Sequence, residues 1–553
     1  MTRRTREAAA AAAFAAFLLV PFLTKPYHVD EPLFLAAARH ILQDPLHPLD
    51  FRFNWYGQTV PMDYINNTPP FFLYMLAGAL KLTGGAAWAM RLCFLPFALA
   101  AAAGLCLLAS LFLENPLLPA LIAIASPALC LTLGLLYPEI PALCFGVWAL
   151  YFLVRAIRDR RFGLLCSSAA LMNLALLSKY AAVIFLLPAC GLLMEGESRS
   201  RPTFPKIAAY LGASILGPTI MALHGFAAGT HAVAAAWAVT AEAARSPWSR
   251  WPARLRALLA FAGGCGVVTG LWPLLIRELR PPRGSRAGWI SWILAAAAVS
   301  WLFRPGFDTL FVTPLDRAFG ILWALGGLLS LVLVVARSKR TGKGWELWAP
   351  WALSAILLEG CLYWSVIARV MAFFVAPAVL GLAGILESAR GGARLRRLYA
   401  LSLAGTATLS FLLALVDYRY ASASKAVAED IVKTYARPGR TIWCAGHWGL
   451  QYYVESMGGR ELDFSKGGYS AMKPGDVIVM ASVNSGGTPP TGERPSRAPV
   501  RLSGRTFLLD TRIPLRLLSG WRGQAGFYSS LYGFLPFTLS REPLEIFRVG
   551  QVL

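Results

Sequence analysis

Apolar runs of membrane-spanning length recur through most of this chain of 553 residues. A run of about 20 apolar residues is long enough to cross a bilayer as a helix. Hydrophobic residues make up 57% of the sequence and charged residues only 15%, proportions that are unusual in a soluble domain. The sequence therefore predicts a polytopic α-helical membrane protein.

Basic residues predict the orientation of these spans. The apolar segment 8–23 follows the basic residues of segment 3–6 and shows no small-residue cleavage site, so we interpret it as a retained anchor with a cytoplasmic N-terminus. Further basic connectors fall on the same side, at 155–161, 199–206, 277–286, 337–343 and 390–397. This alternation predicts about thirteen spans, with the long first loop, 24–85, and the C-terminus on the extracytoplasmic face.

The character of the sequence changes near residue 417. Short alternating apolar stretches replace the long runs, and they predict strands at 441–444, 476–480 and 506–509. A helix is predicted over 426–435, and a loop rich in Gly, Pro and Ser over 485–501. We therefore predict a transmembrane domain over 1–416 and a small extracytoplasmic α/β domain over 417–553.

The formal net charge of +23 comes from clusters that flank the spans, without a basic domain interleaved with aromatic residues. This distribution predicts contacts with anionic membrane lipids and argues against a nucleic-acid partner. Eight of the nine cysteines lie in or beside apolar runs, which indicates neither a disulfide framework nor a metal-binding spacing. The sequence also lacks the GxxxxGK[ST], GxGxxG, HExxH and GxSxG motifs, so a nucleotide substrate has no recognisable site.

The candidate active site begins at Asp30 and Glu31, directly after the first apolar segment. The stretch that starts there predicts an amphipathic helix at the membrane interface, so an acidic pair of this kind can simply stabilise a helix N-terminus. A carboxylate at the water boundary, joined by cations from other connectors, also suits activation of a hydroxyl nucleophile against an anionic leaving group. The anion available at that boundary is a lipid phosphate.

Four motifs carry a resemblance to a known family, in the order 28–32, 66–74, 137–141 and 177–180. They read HVDEP, NNTPPFFLY, YPEIP and LSKY, and together they resemble the dolichyl-phosphate-mannose protein mannosyltransferases and the aminoarabinose lipid A transferases. These are GT-C glycosyltransferases. The resemblance implies transfer of a sugar, usually with inversion, from a polyprenyl-phosphate donor to a lipid, protein or glycan acceptor on the external face.

The same resemblance assigns roles to three carboxylates. Asp30 matches the acidic residue at the family's catalytic centre and would act as the base, while Glu31 would orient it or bind the acceptor. Glu139 matches a second acidic position, where many relatives have Asp. Without the family pattern, Glu139 can equally be a helix cap, because it stands between two prolines at the start of a span.

Two cations are candidate contacts for the donor phosphate. Lys179 interrupts an apolar hairpin, so it either snorkels to the interface or binds the phosphate with Tyr180 beside it. Arg369 resembles an arginine of a late-span motif in the family, although the residues around that motif are altered here. Arg91 also lies in an apolar stretch, and near its outer boundary we interpret it as a snorkelling residue.

Some members of the family bind a divalent metal near the active site and others need none. His28, two residues from Asp30, is the candidate ligand, although a lone histidine beside a carboxylate is more often hydrogen-bonded than metal-bound. In the tail, His447 and Trp448 follow a predicted strand, and they either pack inside the domain or meet a sugar.

Two other functions fit parts of the sequence. A transporter or flippase of a lipid-linked or anionic substrate would also need cations within the membrane, although no inverted repeat is visible. A scaffold that has lost activity is the third, and the retention of Asp30, Glu139 and Lys179 argues against it. Short loops and a high Ala and Arg content favour a bacterial plasma membrane.

Overall fold

The computed structural model describes residues 1–66, 68–197, 204–227, 251–282, 284–305, 312–341, 344–389, 392–483, 500–510, 512–519 and 523–553. Within these ranges the α-helices, numbered α1 to α19, are Arg3–Leu19, Glu31–Ile41, Met62–Ile65, Pro70–Thr83, Ala87–Ala109, Leu117–Ala125, Pro127–Leu133, Glu139–Asp159, Phe162–Ser178, Leu186–Glu197, Phe204–Ala227, Trp251–Gly264, Val268–Leu275, Arg286–Leu302, Pro314–Thr341, Trp345–Leu357, Ala368–Ala389, Ala393–Tyr435 and Trp448–Ser456. Short 3-10 helices cover Val20–Phe22, Tyr180–Phe185, Arg277–Leu279, Phe464–Lys466 and Gly468–Ala471, and one π-helical turn covers Leu358–Leu362. The strands, β1 to β9, are Arg52–Trp55, Gln58–Pro61, Ile442–Ala445, Arg460–Glu461, Val477–Ala481, Val500–Leu509, Leu515–Arg516, Thr538–Leu539 and Glu545–Val552.

Seven of the described helices are long and apolar enough to cross a membrane, namely α1 with its 3-10 extension, α5, α8, α11, α15, α17 and α18. The pair α12 and α13 meets at 92° and forms an eighth if it is one broken span. This is the organisation of a multi-pass membrane protein. The predicted total of about thirteen is not confirmed, because several apolar segments form helices shorter than the 18 residues expected of a span.

Helix α18 connects the membrane bundle to the rest of the chain. At 43 residues it is about 65 Å long, roughly twice the thickness of the hydrocarbon core, so its C-terminal part extends beyond the membrane. The predicted helix over 426–435 is the last part of α18. The predicted domain boundary at 417 lies inside α18, because the hydropathy falls there while the helix continues.

A five-stranded sheet follows α18, with strand order β4-β3-β5-β9-β6. Strands β4 and β5 both pair in parallel with β3, whereas β9 is antiparallel to β5 and β6. Helix α19 connects β3 to β4, which makes a strand–helix–strand unit. The strands predicted from the sequence are confirmed as β3, β5 and β6. The loop predicted over 485–501 lies outside the described residues, except that Val500 and Arg501 belong to β6.

The predicted first loop, 24–85, contains more regular structure than the sequence indicated. Strands β1 and β2 form a hairpin whose two-residue turn is Tyr56 and Gly57, with φ of +60° and +74°. The hairpin packs on the α/β part of the chain: the Asn54 amide donates to the Leu462 carbonyl at 3.2 Å. The Phe464 N–H donates to the Gly57 carbonyl at 2.8 Å. These contacts hold the loop and the sheet at the same end of the helical bundle.

Helix α2 lies in the protein interior. Eight of its eleven residues are buried, among them Leu33, Phe34 and Leu35. The expectation that this helix lies on the membrane interface is therefore wrong, since Glu31 in its first turn is buried and its unburied polar residues, Arg39 and His40, lie in the last turn. Burial of α2 fixes the position of Asp30, the residue directly before it.

Candidate active site

Four charged side chains from separate helix ends meet at one end of the bundle. Asp30 precedes α2, Glu139 begins α8, Lys179 follows α9, and Arg369 is the second residue of α17. The Arg369 Nη1 lies 2.7 Å from Asp30 Oδ2, and its Nε lies 3.1 Å from Glu139 Oε1. The Lys179 Nζ lies 2.9 Å from the same Glu139 oxygen. We call these four residues the ionic cluster.

The members of the ionic cluster differ in their access to solvent. The Asp30 side chain is 21% exposed, whereas those of Glu139, Arg369 and Lys179 are 1%, 9% and 10% exposed. Asp30 is therefore the carboxylate that a substrate can reach. The buried Glu139 contacts both Lys179 and Arg369 through Oε1, and its Oε2 has no hydrogen-bond partner among the described residues.

The backbone around Asp30 is held in an uncommon conformation. Val29 has φ of +52°, a left-handed conformation that is costly for a β-branched residue and is found where the surroundings impose it. The Asp30 N–H donates to the Tyr137 hydroxyl at 3.1 Å, and the Arg369 guanidinium lies over the Tyr137 ring, 4.7 Å from its centroid. Tyr137 thus contacts both sides of the Asp30–Arg369 ion pair.

Glu31 lies outside the ionic cluster, in a buried pair with Arg91. Arg91 donates from Nη1 and Nη2 to the two Glu31 oxygens at 2.7 and 2.8 Å. The N–H groups of His28 and Leu136 also donate to Glu31, each at 2.9 Å. Burial disfavours the carboxylate, yet Arg91 and these hydrogen bonds give Glu31 a lowered pKa. The interpretation of Arg91 as a snorkelling residue is wrong, because a buried carboxylate compensates its charge.

The Glu31–Arg91 pair also fixes the segment before Asp30. Arg91 donates to the carbonyls of Lys25 at 3.1 Å and Pro26 at 3.2 Å. Glu31 is itself 0% exposed. This geometry fits the expectation that Glu31 orients Asp30, and it leaves no surface of Glu31 for an acceptor.

His28 lies in a buried pocket of aromatic rings beside a second ion pair. Lys25 Nζ lies 2.8 Å from Asp417 Oδ2, and His28 Nε2 lies 3.5 Å from Asp417 Oδ1. The described residues contain no group of three or more His, Cys, Asp or Glu that could hold a metal ion. The surroundings of His28 do not fit a divalent cation, since Lys25 already neutralises Asp417 and Arg91 already neutralises Glu31, the two carboxylates in contact with His28.

The remaining predicted residues lie at different distances from the cluster. Tyr180 begins the 3-10 helix after Lys179 and is half-buried, while the Lys179 ammonium lies over the ring of Tyr363, 6.0 Å from its centroid. His447 is buried in the α/β part, with Nδ1 3.3 Å from Glu461 Oε1. Burial lowers the pKa of His447 to about 3 and raises that of Glu461 well above its ordinary value.

Sequence reasoning missed two buried carboxylates near the site. Glu359 lies in the π-helical turn, is 0% exposed, and accepts a short hydrogen bond from the Ile367 N–H, two residues before Arg369. Asp417 lies in α18, directly after its apolar part. An acidic residue within or at the end of an apolar run is itself a signal of function or pairing, and that signal was available for both.

Two carboxylates and two cations at one water-accessible end of the helical bundle can remove a proton and bind an anion in the same place. The Arg369 contacts use Nη1 and Nε, so its planar guanidinium keeps N–H donors for an anion. Asp30 stands at the exposed edge of the cluster and can face a hydroxyl group.

Residues 67–224 match the family model described as dolichyl-phosphate-mannose-protein mannosyltransferase. This range contains Glu139 and Lys179 but neither Asp30 nor Arg369. The resemblance to GT-C glycosyltransferases that the sequence motifs predicted is thereby confirmed. No curated protein matches the chain in sequence.

Three solved structures are similar to this chain at low identity. ArnT from Cupriavidus metallidurans, bound to undecaprenyl phosphate, is 15% identical, with 86% of this chain and 92% of ArnT covered and a TM-score of 0.40. The arabinosyltransferase EmbB from Mycobacterium smegmatis is 18% identical, with 83% and 44% covered and a TM-score of 0.36. The archaeal oligosaccharyltransferase AglB from Archaeoglobus fulgidus, in complex with an inhibitory peptide and a dolichol-phosphate, is 14% identical, with 82% and 63% covered and a TM-score of 0.43. At these values the similarities carry no weight for function.

Proposed function

We propose that the protein is a glycosyltransferase that moves a sugar from a polyprenyl-phosphate donor to an acceptor hydroxyl at the extracytoplasmic membrane face. The observation that supports this most is the ionic cluster, which combines an accessible carboxylate with two cations at the end of a membrane bundle. The family model named for a dolichyl-phosphate-mannose donor supports the same class of substrate.

In the proposed reaction, Asp30 accepts the proton of the acceptor hydroxyl as that oxygen attacks the anomeric carbon. The bond between that carbon and the phosphate oxygen breaks, and its electron pair leaves with the polyprenyl phosphate. Attack from the face opposite the leaving group inverts the anomeric centre. Lys179 and Arg369 stabilise the charge that develops on the phosphate, and Glu139 holds both cations in place.

Glu31 has a positioning role in this mechanism. Its four hydrogen bonds tie the start of α2 to Arg91 and to the backbone N–H groups of His28 and Leu136, so they set the position of the neighbouring Asp30. The acceptor then meets Asp30 alone of the two adjacent carboxylates.

The proposed placement in the membrane follows the basic connectors. The protein would lie in a bacterial plasma membrane with a cytoplasmic N-terminus, about thirteen spans and anionic lipids around its basic connectors. A transmembrane catalytic part over 1–416, with the first loop at 24–85, would be followed by an extracytoplasmic α/β domain over 417–553. Transport is the less supported function, because the charged groups lie at helix ends on one side and not in mid-span.

The direct test is transfer of label from radiolabelled polyprenyl-phosphate sugars to membrane extracts by purified protein. Wild type should transfer label, and Asp30→Asn should lose at least about a hundredfold in rate, the lower range for a general base. Asp44→Asn is the matched control, because Asp44 is an exposed carboxylate of the same loop that pairs with His47, outside the cluster. Activity of Asp30→Asn equal to wild type would remove Asp30 from the centre, and no transfer by a folded wild type with several donors would refute the proposed function.

A further inference from the structure

The loop at 525–532, in the C-terminal part of the chain, holds the segment that leads into Arg369. The Ala368 N–H donates to the Phe527 carbonyl at 3.0 Å, and the Ser530 N–H donates to the Val366 carbonyl at 2.8 Å. The Val366 N–H donates in return to the Ser530 hydroxyl at 3.0 Å. Residues 363–367 belong to no helix or strand, and this loop pairs both backbone groups of Val366 within them.

The same loop also reaches the segment that leads into Asp30. The Tyr528 hydroxyl donates to Asp417 Oδ1 at 2.6 Å, and Asp417 Oδ2 is the partner of Lys25 at 2.8 Å. The Tyr528 ring packs edge-on against His28, with 5.7 Å between centroids. Residues 25–28 likewise have no regular secondary structure, so buried side chains determine their position.

Asp30 and Arg369 are 339 residues apart in sequence, yet their side chains are 2.7 Å apart. Each follows an irregular segment, and both segments are bound by one loop of eight residues. A displacement of about 1 Å between reacting groups can cost about a hundredfold in rate, so the relative position of these segments matters for catalysis.

We infer that the 525–532 loop is a positioning element that holds Asp30 and Arg369 at their working separation, with Tyr528 and Ser530 as positioning residues. This assigns a role in catalysis to the C-terminal part of the chain. The inference rests on the proposed function only for its effect on turnover. The mechanical link between the two segments is a property of the fold and can be measured without substrate.

The catalytic test compares Tyr528→Phe with Tyr420→Phe in the full-length protein. Both changes remove a buried hydroxyl that donates to a carboxylate, since the Tyr420 hydroxyl donates to Glu545 at 2.8 Å. Both rings also pack against His28, with 4.9 Å between centroids for Tyr420. Tyr528→Phe should lower kcat by about tenfold to a hundredfold without raising the KM for the lipid donor, whereas Tyr420→Phe should keep the kcat of wild type.

Ser530 provides an independent variant with its own rescue. Ser530→Ala removes the acceptor of the Val366 N–H and should lower kcat, while Ser530→Thr keeps a hydroxyl and should restore it. In an Asp30→Asn background, Tyr528→Phe should cause no further loss, because residues that act through one another are not additive. Additive losses in the double variant, or equal effects of Tyr528→Phe and Tyr420→Phe, would overturn the inference.

The substrate-free test is amide hydrogen exchange of peptides that contain Val366 and Ala368. Tyr528→Phe leaves their own hydrogen bonds in place, yet it should speed their exchange about tenfold if the loop links the two segments. Unchanged exchange in Tyr528→Phe, with faster exchange in Ser530→Ala as the positive control, would refute the link. Faster exchange in a protein that transfers no sugar would refute the proposed function and leave the link established.

Discussion

Changing each of the adjacent carboxylates Asp30 and Glu31 to its amide should affect different properties: Glu31→Gln should mainly lower stability, and Asp30→Asn should mainly lower sugar transfer. Glu31→Gln removes the charge that compensates a buried guanidinium, because Glu31 is 0% and Arg91 is 4% exposed. Breaking a buried ion pair by removal of one partner costs about 3–5 kcal/mol in unfolding free energy. We expect Glu31→Gln to fall within that range.

The hydrogen bonds of Glu31 indicate the upper part of the range. Its two oxygens accept four hydrogen bonds, two from Arg91 and one each from the N–H groups of His28 and Leu136. The amide of Gln has one oxygen, so its NH₂ group must face a donor that the carboxylate accepted. An orphaned buried donor costs about 1–3 kcal/mol, and this adds to the loss of charge compensation.

Asp30→Asn should lower the rate of sugar transfer more than it lowers stability. The Asp30 side chain is 21% exposed, and Arg369 keeps its contact with Glu139 when Asp30 loses its charge. The unfolding free energy should therefore fall less than in Glu31→Gln, whose charge lies in a fully buried pair. Sugar transfer should nevertheless fall by at least about a hundredfold.

Thermal unfolding in detergent with a thiol-reactive dye measures the difference directly. Five cysteines are buried and become reactive on unfolding, namely Cys106, Cys130, Cys144, Cys265 and Cys444. The control is the double variant Glu31→Gln, Arg91→Met, which removes both charges and should be less destabilised than the sum of the single variants. A Glu31→Gln protein as stable as wild type, or an Asp30→Asn protein with the larger loss of stability, would refute the division of roles.

Three further changes test the cations and the α/β part. Lys179→Met should raise the KM for the donor at least about tenfold, because a hydrogen bond to a charged group contributes about 1.5–3 kcal/mol. An unchanged KM in a donor titration would show that Lys179 does not bind the phosphate. Arg369→Lys keeps the charge but loses the planar guanidinium that contacts Asp30 and Glu139 together, so it should lower kcat more than it raises KM. A kcat equal to that of wild type would contradict this prediction. Burial raises the pKa of Glu461 in the folded protein above the unfolded pKa of 4.5, so the folded state keeps the proton at pH values where the unfolded state has lost it. The free energy of unfolding should therefore fall as the pH rises from 4.5 through the folded pKa. Glu461→Gln mimics the protonated form and should flatten this dependence of unfolding temperature on pH, whereas an unchanged pH profile would show that Glu461 is ionised in the fold.

Part of this fold follows from patterns that a sequence displays directly. Long apolar runs predict the membrane helices, and alternating stretches predict β3, β5 and β6. The number of spans does not follow, because apolar composition alone does not separate a full span from a shorter apolar helix such as Phe162–Ser178. The β1–β2 hairpin was missed although Tyr56-Gly57 occupies its turn, since Tyr-Gly is a weaker turn signal than Asn-Gly.

The site shows the same division between local and tertiary information. Asp30, Glu139, Lys179 and Arg369 were singled out by residue type, position and family resemblance, and the structure brings all four together. The pairing of Glu31 with Arg91 joins residues 60 apart, at the start of α2 and inside α5, which only the tertiary structure brings together. The contacts of Tyr528 with Asp417 and His28 depend on the docking of the C-terminal part, which no local pattern encodes.

Determination of the structure of the full-length protein with a polyprenyl phosphate in a lipid nanodisc would locate the donor site directly. The phosphate should lie within about 3 Å of donor atoms on Lys179 or Arg369, the distance of a charge-assisted hydrogen bond, with Asp30 facing the same space. A phosphate bound elsewhere on the bundle, away from both cations, would contradict the assignment of the ionic cluster as the catalytic centre.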